Sequence, residues 1–331
     1  MEKNVTMKDI AEELDISTVS VSKALNGKEG IGDEVREKII RKASEMGYSK
    51  QNKKNTGITQ SHYIGIAVAD RFCSDNAFYS EMWRALLIQC SQENYTGLIE
   101  IITCENEYAP KLPNFVANQN VEGIIILGEV SRPYINLIAE HNIPYVLQDF
   151  HQDLFDDDSV TSDGCGGSYA ITSYLINKGY KDIGYLGTLS ATSSIMDRFL
   201  GYTKALLMNN IEINPNYIIP DRDKKGMITL TFDLPEKLPK AFVCNCDESA
   251  YKLVNQLKSM GKRIPEDISI VGFDDSHWAK NCVPQLTTIR VDMERMAKLS
   301  MTHLLKQINN PNVASERVIV ATQLIKRDSV K

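Results

Sequence analysis

The sequence has no run of roughly 18 apolar residues, which excludes a membrane-spanning helix. Its opening, MEKNVTMKDI, lacks the apolar stretch of a secretory leader. It also lacks a strong charge of one sign. There are 37 Lys and Arg against 43 Asp and Glu, a net −6, so a protein that coats nucleic acid over its whole surface is excluded. Histidine is scarce: His62, His141, His151, His277 and His303 are scattered along the chain. The seven cysteines show no metal-ligand spacing, and no His stands beside the nearest pair, Cys244 and Cys246. Neither a metal nor a cofactor is expected, and reduced thiols fit a cytoplasmic protein. The stretch Gly164-Cys165-Gly166-Gly167 is too short and wrongly placed for a phosphate loop. His277 beside Asp274 and Asp275 comes without a nucleophile, so an enzyme is not expected.

What is present is ordinary globular composition, 43% hydrophobic and 24% charged, over 331 residues, enough for two domains or more. The first ~50 residues carry only helical patterns. Thr6 caps a first helix, with Asp9 at the capping-box place, and Ile10, Ala11 and Leu14 form its apolar face. After a break at Asp15-Ile16, Ser17 caps a second helix in which Val21, Ala24 and Leu25 are apolar, and Asn26-Gly27 ends it. Asp33 opens a third, with Val35, Ile39, Ala43 and Met46 at helical spacing, closed by Gly47. Residues 49–61 are polar and read as a linker. From His62 onward, short apolar runs alternate with helical segments, the signature of parallel sheet covered by helices. Those 270 residues are too many for one such sheet, so two α/β lobes are expected. Residues 220–239 break the rhythm with a strand-like M-I-T-L-T-F-D-L.

Two short helices joined by a tight turn and braced by a third describe a helix-turn-helix. Asp15 occupies the turn, where its side chain tolerates left-handed geometry. Hydroxyls on the second helix suit phosphate and base-edge contacts. Residues 1–56 hold 11 Lys and Arg against 10 Asp and Glu, so charge alone does not mark them as DNA-binding, although Lys23, Lys50, Lys53 and Lys54 supply a local patch. One such module binds DNA poorly; a symmetric dimer reading two half-sites is the usual remedy.

The run V-T-M-K-D-I-A-E-E-L-D-I-S-T-V-S-V-S-K-A-L-N-G resembles the lactose-repressor/galactose-repressor family of bacterial transcription regulators. The resemblance continues through V-E-G-I-I-I-L (121–127), L-I-N-K-G-Y-K-D-I-G-Y-L-G (175–187), D-R-F-L-G-Y (197–202), I-P-E-D-I-S-I-V-G-F-D-D (264–275) and P-Q-L-T-T-I (284–289). It implies an all-α helix-turn-helix DNA-binding domain over 1–49, a linker over 50–61, and a two-lobed α/β effector domain like a type I periplasmic binding protein over 62–331. It further implies a homodimer on double-stranded, palindromic operator DNA, a repressor controlled by a small carbohydrate in the cleft. The alternative is a cytoplasmic sugar sensor with little specific DNA binding; salt-dependent binding to specific DNA separates the two.

Within the resemblance, Thr18 and Val19 fall where bases are chosen, and Lys23 falls where many relatives carry Arg. Val19 reads equally well as helix packing. Thr6, Ser17, Ser20, Ser22 and Asn26 join the phosphate-facing set. The linker S-K-Q-N-K-K-N-T-G-I departs from the family's hinge helix: it has no Pro, no Ala-Arg and no wedging Leu. A weak or absent hinge helix is therefore expected, with Lys50, Lys53 and Lys54 acting through phosphates. For the effector, Arg198 matches the family's ligand-reaching arginine, Phe78 and Tyr79 its aromatic wall, and Asp149, Asp274 and Asp275 its strand-end carboxylates. Cys246 and Asp247 stand in C-N-C-D where the family often has C-A-N-D, and Trp278 offers a face to stack on a sugar ring. Arg198 as a structural ion pair, and Trp278 as lobe packing or dimer contact, are the competing readings. Trp83, Tyr185 and Tyr202 read as core rather than ligand contacts.

Overall fold

The computed structural model describes residues 5–25, 32–46, 62–73, 77–118, 120–152, 157–224 and 226–331. The chain divides into two compact units, Met1–Gln60 and Ser61–Lys331.

In the first unit, Thr6 opens helix α1 (Met7–Leu14) with a reciprocal cap. Its backbone N–H donates to Asp9 Oδ2 at 2.7 Å while the Asp9 N–H donates to Thr6 Oγ1 at 3.3 Å, so two otherwise orphaned donors are satisfied. Asp15 then adopts the left-handed conformation, φ 51° and ψ 48°, and the chain reverses. Ser17 Oγ accepts the Ser20 N–H at 3.1 Å as α2 (Thr18–Leu25) begins. Helix α3 (Asp33–Glu45) closes the unit. Ile10, Val21 and Ile39 are fully buried where the three meet, and Ala11, Ala24 and Ala43 let the backbones approach. Val35, expected on the same face, is 44% exposed; the inward stripe of α3 begins at Ile39.

The second unit runs β1 (His62–Ala69), α4 (Ala77–Gln92), β2 (Tyr95–Ile102), α5 (Cys104–Tyr108), α6 (Asn114–Ala117), β3 (Gly123–Leu127), α7 (Arg132–Ala139), β4 (Tyr145–Gln148) and β5 (Ser159–Ser162). It continues α8 (Gly164–Asn177), β6 (Ile183–Leu186), α9 (Ser193–Met208), β7 (Ile218–Ile219), β8 (Ala241–Cys244), α10 (Asp247–Ser259), β9 (Ser269–Val271) and α11 (His277–Asn281). It closes with β10 (Thr288–Arg290), α12 (Met293–Asn309), β11 (Arg317–Val320) and β12 (Gln323–Ile325). Six strands form the first lobe's sheet in the order β11-β5-β4-β3-β1-β2, and four form the second's in the order β7-β6-β8-β9, all parallel. The antiparallel ribbon β10-β12 links the lobes.

The central strands explain themselves: β1 from Ile64 onward and all of β3 are buried and, apart from Gly65 and Gly123, read Ile, Ala, Val and Leu. In each sheet the first strand has neighbours reached in opposite directions, β2 and β3 beside β1, β7 and β8 beside β6. These are the switch points where open α/β sheets leave a crevice beyond the strand ends.

Two findings differ from the sequence reading. The strand expected at 227–234 does not form; among the described residues the segment makes one isolated bridge, Arg222 with Ile228. The Gln256 side chain takes the place of a strand partner, accepting from Phe232 N and donating to Phe232 O, both at 2.8 Å. The linker 50–61, with its expected loss of hinge helix, lies outside the described residues.

Candidate effector cleft and DNA-reading face

Facing strand ends of the two lobes enclose a cavity of about 40 Å³. That is room for little more than a water molecule, so a small ligand enters only as the lobes part. The first lobe contributes Phe72, Phe78, Tyr79 and Asp149; the second contributes Arg198 from α9, Arg222, Asn245, Cys246, Asp274 and Trp278.

Phe72 stacks on Tyr79 with ring centroids 4.6 Å apart, and Phe78 meets Tyr79 edge-on at 5.3 Å, so the first lobe presents an apolar wall. Tyr79 hydroxyl donates to Asp149 Oδ2 at 2.9 Å. Opposite, Arg198 donates from Nη1 to the Asn245 carbonyl at 2.6 Å, rests over the Phe273 ring at 4.0 Å, and holds Nη2 3.3 Å from Asp274 Oδ1. Trp278 packs on Tyr251 at 4.9 Å and still lines the cavity, so packing and ligand stacking are compatible.

Burial dominates the charges. It pushes the Asp149 carboxyl up to about 6, against the pull of the Arg198 guanidinium and the Tyr79 hydrogen bond. It raises Asp274 well above the usual range, with Arg198 opposing and Asp247 and Asp149 adding to the rise. Burial pulls Arg198 down, and the Asp274 and Asp149 carboxylates more than restore it. Four buried polar atoms of cavity residues have neither a hydrogen-bond nor an ion-pair partner: Asp149 Oδ1 and Asn245 Oδ1 are acceptors, Arg198 Nε and Trp278 Nε1 are donors. Asp274 Oδ1 and Arg222 Nε make no hydrogen bond and are held only in ion pairs, with Arg198 and Asp221.

Phe78, Tyr79, Asp149, Arg198, Cys246, Asp274 and Trp278 thus come together as a set. Two of the sequence candidates do not join them. Asp247 is fully buried at the start of α10 and turns away from the cavity: Oδ1 accepts the Thr288 hydroxyl at 2.6 Å and Oδ2 the Ser276 N–H at 2.8 Å. Gly272 packs so closely that any Cβ there would strike the Asp247 carboxylate. Asp275 also turns away, taking Arg290 Nε at 2.7 Å and Arg327 Nη2. Their adjacency to Cys246 and Asp274 misleads because Asp247 already belongs to α10 and Asp275 to a left-handed turn beyond β9, so each is aimed away from its neighbour by its own partners. Tyr185 and Tyr202 are fully buried, while Trp83 is half-buried on α4 against the core.

Sequence reasoning missed Phe72, Arg222 and Asn245. Asn245 stands in C-N-C-D one place before Cys246, so an amide was present but out of register. Its Nδ2 donates to Asp221 Oδ2 at 2.6 Å; Asp221, fully buried, also accepts the Ser249 hydroxyl at 2.6 Å and the Thr188 N–H at 2.8 Å. Arg222 comes from just before the stretch misread as a strand, and no local signal marked it.

On the helical unit, Ser17, Thr18 and Val19 are exposed, while Ser20, Ser22 and Lys23 are half-buried. Val19 is 63% exposed; Val21 does the packing, so the helix-packing reading of Val19 falls. Thr6 spends its hydroxyl on Asp9 at 2.6 Å, and Ser17 and Ser20 share a bond of 3.0 Å. Asn26, Lys50, Lys53 and Lys54 lie outside the described residues. No described helix is long and apolar enough to cross a membrane, and no metal-binding cluster occurs among the described residues.

Comparison with known proteins places these parts. Residues 6–51 match the bacterial regulatory proteins of the lacI family, and residues 172–330 match the periplasmic binding protein-like domain. The ribose operon repressor of Haemophilus influenzae is 27% identical over 329 residues, 98% of each chain. The probable transcriptional repressor ExuR of Bacillus subtilis is 28% identical over 342 residues, 99% of this chain and 98% of that one. Among solved structures, the regulator CelR in complex with cellobiose superposes with a TM-score of 0.71 at 20% identity, covering 98% of this chain and all of that one (100%). Curated relatives spanning the chain end to end are repressors, not enzymes. Residues 6–51 thus carry a lacI-type helix-turn-helix and residues 172–330 a periplasmic-binding-protein-like domain, the build of a transcriptional repressor, which is what the curated relatives along the whole chain are.

Proposed function

We propose that the cleft binds a carbohydrate whose occupancy changes the affinity of a homodimer for a two-fold symmetric operator. The observation that carries this reading is the set of four unpartnered polar atoms, Asp149 Oδ1, Asn245 Oδ1, Arg198 Nε and Trp278 Nε1: two acceptors and two donors beside an aromatic wall. A sugar hydroxyl donates and accepts at once, and a ring presents C–H faces to aromatics, so a polyol satisfies both kinds of atom. Three carboxylates (Asp149, Glu248, Asp274) against two guanidiniums (Arg198, Arg222) line the space, which favours a neutral sugar over a sugar phosphate. A related fold holding cellobiose, and a relative named for ribose, lend support.

The mechanism is linkage. Residues from both lobes touch one cavity, so a ligand that prefers one lobe angle stabilises it, and the DNA-reading heads respond in operator affinity. At the DNA, Thr18 and Val19 face base edges, where their methyl groups suit thymine, and Lys23 with the Ser hydroxyls takes phosphates. Binding of D-ribose, cellobiose and other neutral sugars to the full-length protein, followed by calorimetry, tests the cleft. Arg198→Ala should abolish both binding and the sugar's effect on operator affinity, with the operator sequence still recognised. A sugar response that survives Arg198→Ala sinks the assignment.

A further inference from the structure

Two pairs of neighbouring residues divide between the cavity and the ribbon that joins the lobes. In Cys246-Asp247, the first lines the cavity and the second accepts the Thr288 hydroxyl of β10 at 2.6 Å. In Asp274-Asp275, the first faces Arg198, and the second accepts Arg290 Nε of β10 at 2.7 Å together with Arg327 Nη2, just beyond β12. Arg327 is itself fixed: its N–H donates to Thr287 Oγ1 at 2.9 Å and its Nη1 to the Leu286 carbonyl at 2.8 Å. One buried carboxylate on the second lobe therefore grips two of the passages of chain that run between the lobes, those at β10 and β12.

The backbone beneath it is strained. Asp274 and Asp275 take φ of 113° and 57° in succession, and neither is glycine. Such geometry persists only where the surroundings enforce it. The Asp274 N–H donates to the Ile289 carbonyl at 2.7 Å, in an isolated parallel bridge between Asp274 and Arg290, and the Asp275 ion pairs complete the hold. A turn pinned this way passes displacement on rather than absorbing it, because packed elements switch between discrete arrangements.

The geometry points to Asp275 as a positioning residue: its carboxylate ties the cavity-facing Asp274 to β10 and to Arg327, so that whatever engages Asp274 and Arg198 sets the angle between the lobes. The inference rests on the cleft being the sensing site, but not on the ligand being a sugar.

The test needs no ligand. Genetically encoded spin labels at Tyr108 on the first lobe and Leu230 on the second, 93% and 81% exposed, report the lobe-to-lobe distance by electron–electron resonance. Full-length labelled protein is diluted with unlabelled chain, so that only distances within one chain are read. Arg198→Gln removes the cation that faces Asp149 across the cleft and should shift the distribution to longer distances. In an Asp275→Asn background that shift should be lost, and Asp275→Glu, which keeps the charge, should restore it. If Asp275→Asn does not fold, Arg290→Gln takes its place: that side chain is half exposed and leaves Arg327 on Asp275, and a reduced shift is expected. The same shift in both backgrounds, or no shift from Arg198→Gln in the parent, overturns the inference. A cleft that binds no sugar leaves this result untouched, so the two readings fail separately.

Discussion

Asp149 occupies a place that penalises its own charge. Its ordinary carboxyl value is 3.8 and the folded value is about 6, so the native state holds the proton more tightly than the unfolded chain. The stability this contributes is fully present below about 4 and is lost as pH rises through about 6. Above that, the buried carboxylate costs on the order of 1–3 kcal/mol. Asp149→Asn should therefore raise the melting temperature of the ligand-free protein at pH 8 and have much less effect at pH 5, while sugar binding is lost at both. Thermal melts at the two pH values check this; a lower melting temperature at pH 8 counts against it. The same titration predicts that calorimetric affinity of the wild type for its sugar falls as pH drops below about 6, because the acceptor becomes a donor. At this scale the sequence was informative about residue type and weak on direction. Arg198 and Asp149 were found from where they stand, but Asp247 and Asp275 faced the ribbon instead, because the turn that aims them depends on partners far away in the chain.

At the scale of elements, the cap of α1 and the brace at Gln256 carry separable predictions. Thr6→Ala removes the reciprocal cap and should cost the helical unit about 1 kcal/mol, read as a lower first melting transition. Gln256→Ala leaves Phe232 without its two backbone partners; about 1–3 kcal/mol of stability should go, with faster amide exchange confined to the segment around residue 232. Unchanged exchange there contradicts the brace. The three N-terminal helices and the central strands were legible because each satisfies a local rule: a cap, a left-handed turn, an apolar run. Strand β5, Ser159–Ser162, was not, since S-V-T-S has no apolar run and becomes a strand only between β4 and β11. Helix α12 had its signal in Met296, Ala297, Met301 and Leu304 at helical spacing. The stretch 227–234 alternates like a strand yet forms none, because a side-chain amide reaches its backbone before any strand does.

For the whole molecule, the sign balance is telling. Residues 1–56 are net +1 in a chain of −6, so DNA affinity must come from a few placed cations rather than a broad field. In vitro selection with the full-length protein should enrich a two-fold symmetric site, and Lys23→Ala should weaken binding to all sequences alike and flatten its salt dependence. An enriched site without symmetry argues against the dimer. A second lobe was expected from length and alternation alone, whereas the crossings at β10 and β12 were not, since three-residue strands are too short to announce themselves. Those crossings have a consequence for how the protein is made. Ser329 is fully buried, its hydroxyl donating to the Ile270 carbonyl at 2.5 Å and accepting the Thr287 N–H at 2.8 Å. The second lobe therefore cannot be finished on the ribosome until residue 329 has emerged, long after the DNA-reading helices have been free to fold. Throughout synthesis the nascent chain carries its helical unit without a finished second lobe, and a truncation that removes Ser329 would leave it so.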